Sequence, residues 1–217
     1  GEELTFHHPK GLEEYLPTII EGNKKAQIHT GYFLLENEEY PRVQLILAWT
    51  DATNEIVYSF ANGVRTWDGG SHEAGLKQAI VKAVRAYQTA HKKVPKGLTI
   101  SAEDIREGLV GVLSLYIKEP QFQGQTKGRL NNPEAAGLVE NIVRPALEQW
   151  LHENGTIADR ISERIELAAR AREASRVAAQ QVTRKSAVSH RLNLPGKLSD
   201  CTSANREDSE LFVVEGD

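Results

Sequence analysis

The run Pro120-Gln121-Phe122-Gln123-Gly124-Gln125-Thr126-Lys127 sits between an apolar, strand-like segment and a helix start. A lysine that follows a polar, glycine-containing loop can swing its ammonium onto a phosphate oxygen as a point charge. Spacing alone also admits a solvated surface turn. A second chemical pattern lies further on. Arg170, Arg172, Arg176, Arg184, Lys185 and Arg191 face only Glu173 as a nearby acid, a local basic stretch of the kind that attracts phosphate backbones. The alternative is that these arginines pair with Glu163, Glu166 and Glu173 along a helix and keep it soluble.

The elements that must position these groups follow from periodicity. Gly11 to Glu21 carries apolar residues at helical spacing interrupted by Pro17, which predicts a short or kinked helix. Three strands follow, over Ile28 to Leu35, Arg42 to Trp49 and Glu55 to Ala61. The second is nearly all apolar, as in a strand buried on both faces. A loop with three glycines spans Asn62 to Ser71, and a helix runs from it to about His91. Ser101 with Asp104 three residues on reads as a capping box. Leu109 to Ile117 is a strand rich in branched residues that delivers the chain to the Lys127 loop. Asn132-Pro133 opens a helix, with Asn as the cap and Pro at the first position. Pro145 should kink that helix and Gly155 should end it. From Thr156 to Leu194 there is neither Gly nor Pro. A helix of ~30 residues there would extend ~45 Å, more than a compact domain needs.

Composition sets outer bounds. With 217 residues, 40% hydrophobic and 26% charged, the chain can bury a sizeable core as one domain plus a helical appendage. A net charge of -4 excludes a chain that is basic throughout, so any nucleic-acid contact must be local. The single cysteine, Cys201, excludes an internal disulfide framework and fits a reducing cytosol. No apolar run approaches the ~20 residues of a membrane helix, and a soluble, cytoplasmic protein is expected.

Four segments carry a family resemblance, in order along the chain. Residues 120–127 resemble the PQF-x-GQTK loop of the B subunits of bacterial type IIA DNA topoisomerases, gyrase and topoisomerase IV. Thr66-Trp67-Asp68-Gly69-Gly70-Ser71-His72-Glu73 resembles a turn that the family usually writes T-x-EGGTH. Leu194-Pro195-Gly196-Lys197-Leu198-Ser199-Asp200-Cys201 and Glu210-Leu211-Phe212-Val213-Val214-Glu215-Gly216-Asp217 resemble the stretch that leads into the family's TOPRIM domain. Asp68 and Ser71 depart from the family's Glu and Thr. The glycines of the turn supply positive φ, Ser71 is placed to cap the next helix, and His72 reads as a buried hydrogen-bonding residue.

The resemblance implies a transducer domain cut from a longer polypeptide: an α+β fold resembling a ribosomal-protein-like fold, with helices on one face of a sheet and a left-handed βαβ crossover. The expected division is 1–154 for the core with the GQTK loop, 155–190 for a long basic helical arm, and 191–217 for a linker and the first strand of a truncated TOPRIM domain. It further implies that Lys127 contacts the ATP γ-phosphate in a neighbouring ATPase domain, that Gln125 supports it, and that Glu215 is the first acid of a Mg2+ site incomplete here. Arg172, Arg176 and Lys197 are candidate DNA contacts. ATP and Mg2+ belong to the parent enzyme, an ATP-dependent topoisomerase, and the isolated piece is expected to be inactive. Expected partners are the ATPase and TOPRIM domains of the same polypeptide, an A-type subunit carrying the DNA-cleaving tyrosine, duplex DNA and a second copy of the B-type subunit. A stand-alone, non-enzymatic nucleic-acid-binding α+β module with a basic arm is the alternative, and an interaction scaffold built on the long helix is a third reading.

Overall fold

The computed structural model describes the backbone of residues 9–188 and the side chains of residues 9–180. Lys197, Glu215 and the whole of 191–217 lie outside the described residues.

Five strands form one mixed sheet: β1 (Phe33–Asn37), β2 (Arg42–Trp49), β3 (Ile56–Ala61), β4 (Val64–Arg65) and β5 (Leu109–Tyr116), in the order β1-β2-β5-β3-β4. β2 pairs antiparallel with β5 from Arg42 opposite Tyr116 to Trp49 opposite Leu109, and β3 pairs parallel with β5 from Ile56–Val110 to Ala61–Leu115. A parallel neighbour needs a crossover, supplied by α2 (Ser71–Ala90) and the short α3 (Ala102–Arg106).

Side chains alternate across the sheet and both faces are buried. On one face Val43, Leu45, Leu47, Trp49, Leu109, Leu113 and Leu115 meet α2 and α4 (Pro133–Glu153). On the other, Ile46, Ala48, Val110 and Val112 are covered by Leu16, Ile19 and Ile20 of α1 (Leu12–Gly22). The expectation of helices on one face therefore needs correction, because the double-sided apolar pattern of β2 and β5 requires a second cover.

Several local readings hold and several do not. β2 runs from Arg42 to Trp49 as expected, and the Ser101 capping box forms both reciprocal bonds. The loop read over 62–71 contains a hairpin, because Asn62-Gly63 takes positive φ at both residues and turns β3 into β4. Asn132 is the N-cap residue of α4, yet its side chain makes no cap bond. It accepts from Gln121 N at 2.6 Å and donates to Glu119 O at 2.9 Å, tying the preceding loop to the helix. α4 ends at Glu153 with Asn154 as its C-cap, so Gly155 opens α5 (Gly155–Val188) instead of closing α4.

Ala158, Ile161 and Ile165 of α5 join the main core, and the first compact unit accordingly extends to Ala171, past residue 154. The second unit begins at Arg172 within the same helix.

Candidate functional site

Lys127 lies at the tip of a small hairpin. β6 (Phe122–Gln123) pairs with β7 (Arg129–Leu130), Phe122 opposite Leu130 and Gln123 opposite Arg129. Gly124 (φ 69°) and Lys127 (φ 53°) both take left-handed backbone, and the Lys127 N–H donates to Gly124 O at 3.4 Å. Lys24 and Lys92 share that conformation, so φ alone does not single Lys127 out. Its setting does. Gln125, Thr126 and Lys127 are exposed, while Leu130, three residues on, is buried in the core. The Lys127 ammonium lies 5.8 Å from the centre of the Phe122 ring, and the Lys127 and Gln125 side chains are both exposed to solvent. Two donors at the tip of an anchored hairpin suit an anionic oxygen supplied from outside this chain.

The hairpin is stitched to the Thr66–Glu73 turn. Asp68 N donates to Gly128 O at 2.8 Å, Leu130 N to Gly69 O at 3.1 Å and Arg129 Nη1 to Asp68 O at 3.3 Å. Gly70 and Leu130 form a parallel bridge. Residues 66–73 and 120–130 thus make one structure, although in the sequence they stand as two separate motifs. No local signal could have joined them.

Close approach explains the glycines. A Cβ on Gly70 (φ +144°) would lie 2.4 Å from Leu130 O and 2.7 Å from Leu130 N. Gly70 is also the N-cap residue of α2, so Ser71 begins the helix and does not cap it. Its hydroxyl donates to Leu130 O at 3.4 Å.

Beneath the turn lies a buried polar network. Thr66 Oγ1 donates to Ser59 O at 2.9 Å, and Ser59 Oγ donates to Glu73 Oε2 at 3.0 Å, a carboxylate also paired with Lys77 at 2.8 Å. Thr66 Oγ1 also lies 2.7 Å from Ser59 Oγ and 3.1 Å from His72 Nε2, while His72 Nδ1 has no partner among the described residues. His72 is fully buried, as expected, and desolvation lowers its pKa from 6.5 to about 4.

A stability consequence follows with a definite sign. The unfolded chain takes up the proton first, so stability is complete above pH 6.5 and falls as pH drops from 6.5 towards 4. The loss amounts to roughly 3 kcal/mol at ~1.4 kcal/mol per pH unit. Burial lowers the His29 pKa in the same direction, so the informative quantity is a difference. Denaturant unfolding at pH 7 and pH 4.5 should show a larger loss for the parent chain than for His72→Gln; equal losses would remove His72 from the acid response.

In α5 the two candidate DNA-contacting arginines and their neighbour are partly engaged. Arg170 pairs with Glu166 at 2.5 Å, and Arg176 pairs with Glu173 at 2.8 Å. Arg172 is exposed and one turn from Arg176. The stretch therefore has more acid contact than Glu173 alone provides. Among the described residues no group of three or more His, Cys, Asp or Glu is placed to hold a metal ion, and no helix is long and apolar enough to cross a membrane.

Comparison with known proteins gives a consistent result. The family model DNA gyrase B matches residues 11–181. The DNA gyrase B protein of Clostridium acetobutylicum is 36% identical over 98% of this chain and 33% of its own length. Its counterpart from Streptococcus pneumoniae is 38% identical over 98% of this chain and 33% of its own length. This chain thus spans about a third of those relatives. Among solved structures, the 43K ATPase domain of Thermus thermophilus gyrase B, in complex with an aminocoumarin, is 31% identical with a TM-score of 0.75, over 83% of this chain and 49% of that one. The topoisomerase IV ATP binding domain of Francisella tularensis is 31% identical with a TM-score of 0.67, over 79% of this chain and 46% of that one.

Proposed function

This chain belongs to the DNA gyrase B family, and from that premise we propose that it is the transducer segment of an ATP-dependent type IIA DNA topoisomerase, coupling nucleotide state in an adjoining ATPase domain to motion of the DNA gate. The observation that carries the proposal is the Lys127 hairpin: an exposed ammonium and an exposed amide on a tip whose base is fixed by backbone hydrogen bonds to the Asp68–Gly70 turn. Lys127 and Gln125 fit the γ-phosphate of ATP as outside donors. Bound ATP supplies the phosphoryl group, and a cation aimed at its oxygens offsets charge redistributed as that group leaves. A lysine from a different domain also loses its anchor when the γ-phosphate departs, which is how nucleotide-held segments switch.

The same reading takes the β3–α2–β5 crossover to be the left-handed βαβ unit of a ribosomal-protein-like transducer fold, against the general right-handed rule. The parallel pairing of β3 with β5 supports the unit itself. It assigns the protein, working in the cytoplasm, to double-strand passage with an A-type partner, a second copy of itself, duplex DNA and a TOPRIM domain. Mg2+ would be held there by acids that include Glu215. Lys197, like Arg172 and Arg176, is assigned to DNA phosphates.

Two measurements bear on this reading. The 217-residue chain alone should hydrolyse no ATP in a coupled assay, since both donors named here act on a nucleotide held elsewhere. Turnover above a heat-denatured control would contradict it. For the arm, Arg172→Ala with Arg176→Ala should shallow the log–log salt dependence of binding to a random duplex by ~0.9 per lost phosphate contact, about 1.8 in all. An unchanged slope would assign these arginines to their helix-surface ion pairs, as the Arg176–Glu173 contact already exemplifies.

A further inference from the structure

α2 and α4 pack along one another, and their C-terminal ends meet. His91 is the C-cap of α2, and His152 lies in the last turn of α4. His91 Nε2 stands 3.1 Å from His152 Nδ1, with ring centres 5.2 Å apart. Both residues are exposed. Tyr87 stacks on His91 at 4.3 Å and donates its hydroxyl to Asp159 Oδ1 at 3.1 Å, so the ring is held in place from behind. Asp159, in the first turns of α5, also pairs with Lys93 at 3.0 Å.

We propose that His91 and His152 form a binding site for a divalent transition cation of the zinc class, clipping the end of α2 to the end of α4. Two imidazole nitrogens bound to zinc at about 2.0–2.1 Å and a tetrahedral angle lie roughly 3.4 Å apart. The observed separation needs an opening of only a few tenths of an ångström. The geometry also serves a shared proton between the two rings, and the cation takes that proton's place. Electrostatics favours the exchange, because each helix C-terminus presents carbonyl oxygens equivalent to roughly half a negative charge. Imidazole donors select zinc, nickel or copper over Mg2+, which requires oxygen ligands in octahedral array. No third acidic, histidine or cysteine ligand is placed to complete a cluster among the described residues. Water fills the remaining positions, and the site is open and exchangeable.

The position gives the site a structural consequence. α2 begins at the Gly70 turn that holds the Lys127 hairpin and ends at His91. A metal clip would pin the far end of the helix on which that turn is built. The inference stands on the histidine geometry and is independent of the nucleotide-coupling proposal.

The test uses the 217-residue chain, stripped with a chelator and unfolded thermally with ZnCl2 or MgCl2. At free Zn2+ ten times the dissociation constant, the folded-to-unfolded ratio should rise about elevenfold. For a chain of this length that is a rise in Tm of about 3–5 °C. Mg2+ should give no rise. Because His7, His8, His190 and Cys201 can also take up zinc, the decisive arms are variants. His91→Ala and His152→Ala, both at exposed positions, should unfold cooperatively without zinc and lose the rise. His152→Gln, which keeps bulk and hydrogen bonding, should lose it as well. A rise that survives in all three variants, or no rise in the parent chain, would overturn the site.

Discussion

Lys127→Ala in the full-length protein is expected to lower ATP turnover by roughly 100- to 1,000-fold while leaving nucleotide affinity nearly unchanged. The magnitude is that of removing one preorganised donor from a site where charge develops, about 3–4 kcal/mol of barrier at ~1.4 kcal/mol per tenfold. Affinity is spared because the proposal places the adenine and ribose contacts in another domain. The side chain is exposed on a hairpin tip, so its removal leaves the fold intact. Lys127→Arg should recover only part of the rate, since a planar fork does not reproduce a compact ammonium on a tip fixed in position. Single-turnover hydrolysis with a parallel binding titration separates the two effects. Near-parent turnover in Lys127→Ala would take the residue out of the mechanism, and an equal loss in rate and affinity would make it a simple binding residue.

Gly70→Ala should be the most damaging small substitution in the motif. Its φ of +144° is unfavourable for any side chain, and the new Cβ would lie 2.4 Å from a backbone oxygen and 2.7 Å from a backbone nitrogen of Leu130. Neither atom is the end of a flexible group, so turn and hairpin must part, and the bonds from Leu130 N and Asp68 N weaken together. Strain and overpacking each cost about 1–3 kcal/mol, and a combined loss of about 4 kcal/mol is expected. Gly63→Ala provides the contrast. It has positive φ (+79°) but open space around it, so only the conformational part, about 1 kcal/mol, should be lost. Denaturant unfolding of both variants distinguishes crowding from backbone preference. Equal losses would mean that the close approach at Leu130 contributes nothing.

What the sequence revealed follows the range of the forces involved. β2 was legible because the nearly all-apolar run from Arg42 to Trp49 has one economical reading, a strand covered on both sides. The Ser101–Asp104 box was legible because both partners lie within one turn. Asn132 shows the limit of reading by residue type. Its position at the N-cap was right, but its amide bonds residues 119 and 121, a choice made by the loop folded beside it. The Asn62-Gly63 turn carried a recognisable hairpin signal that a broad loop reading passed over. The bridge between Gly70 and Leu130 joins residues far apart in the chain, so nothing local encodes it. The paired glycines were read only as supplying positive φ, and the close approach to Leu130 came from the structure. Ile161 and Ile165, near the start of α5, are buried in the core, a placement set by packing against residues far back in the chain.

The central claim is that Lys127 delivers its ammonium to the γ-phosphate of ATP bound outside this chain. The most direct measurement is a crystal structure of the full-length protein with a non-hydrolysable ATP analogue, beside one with ADP. The account predicts Lys127 Nζ at about 2.7–3.0 Å from a γ-phosphate oxygen in the first, as for a charge-assisted hydrogen bond, and no phosphate contact in the second. A Lys127 ammonium still facing solvent beside a fully ordered γ-phosphate would contradict it.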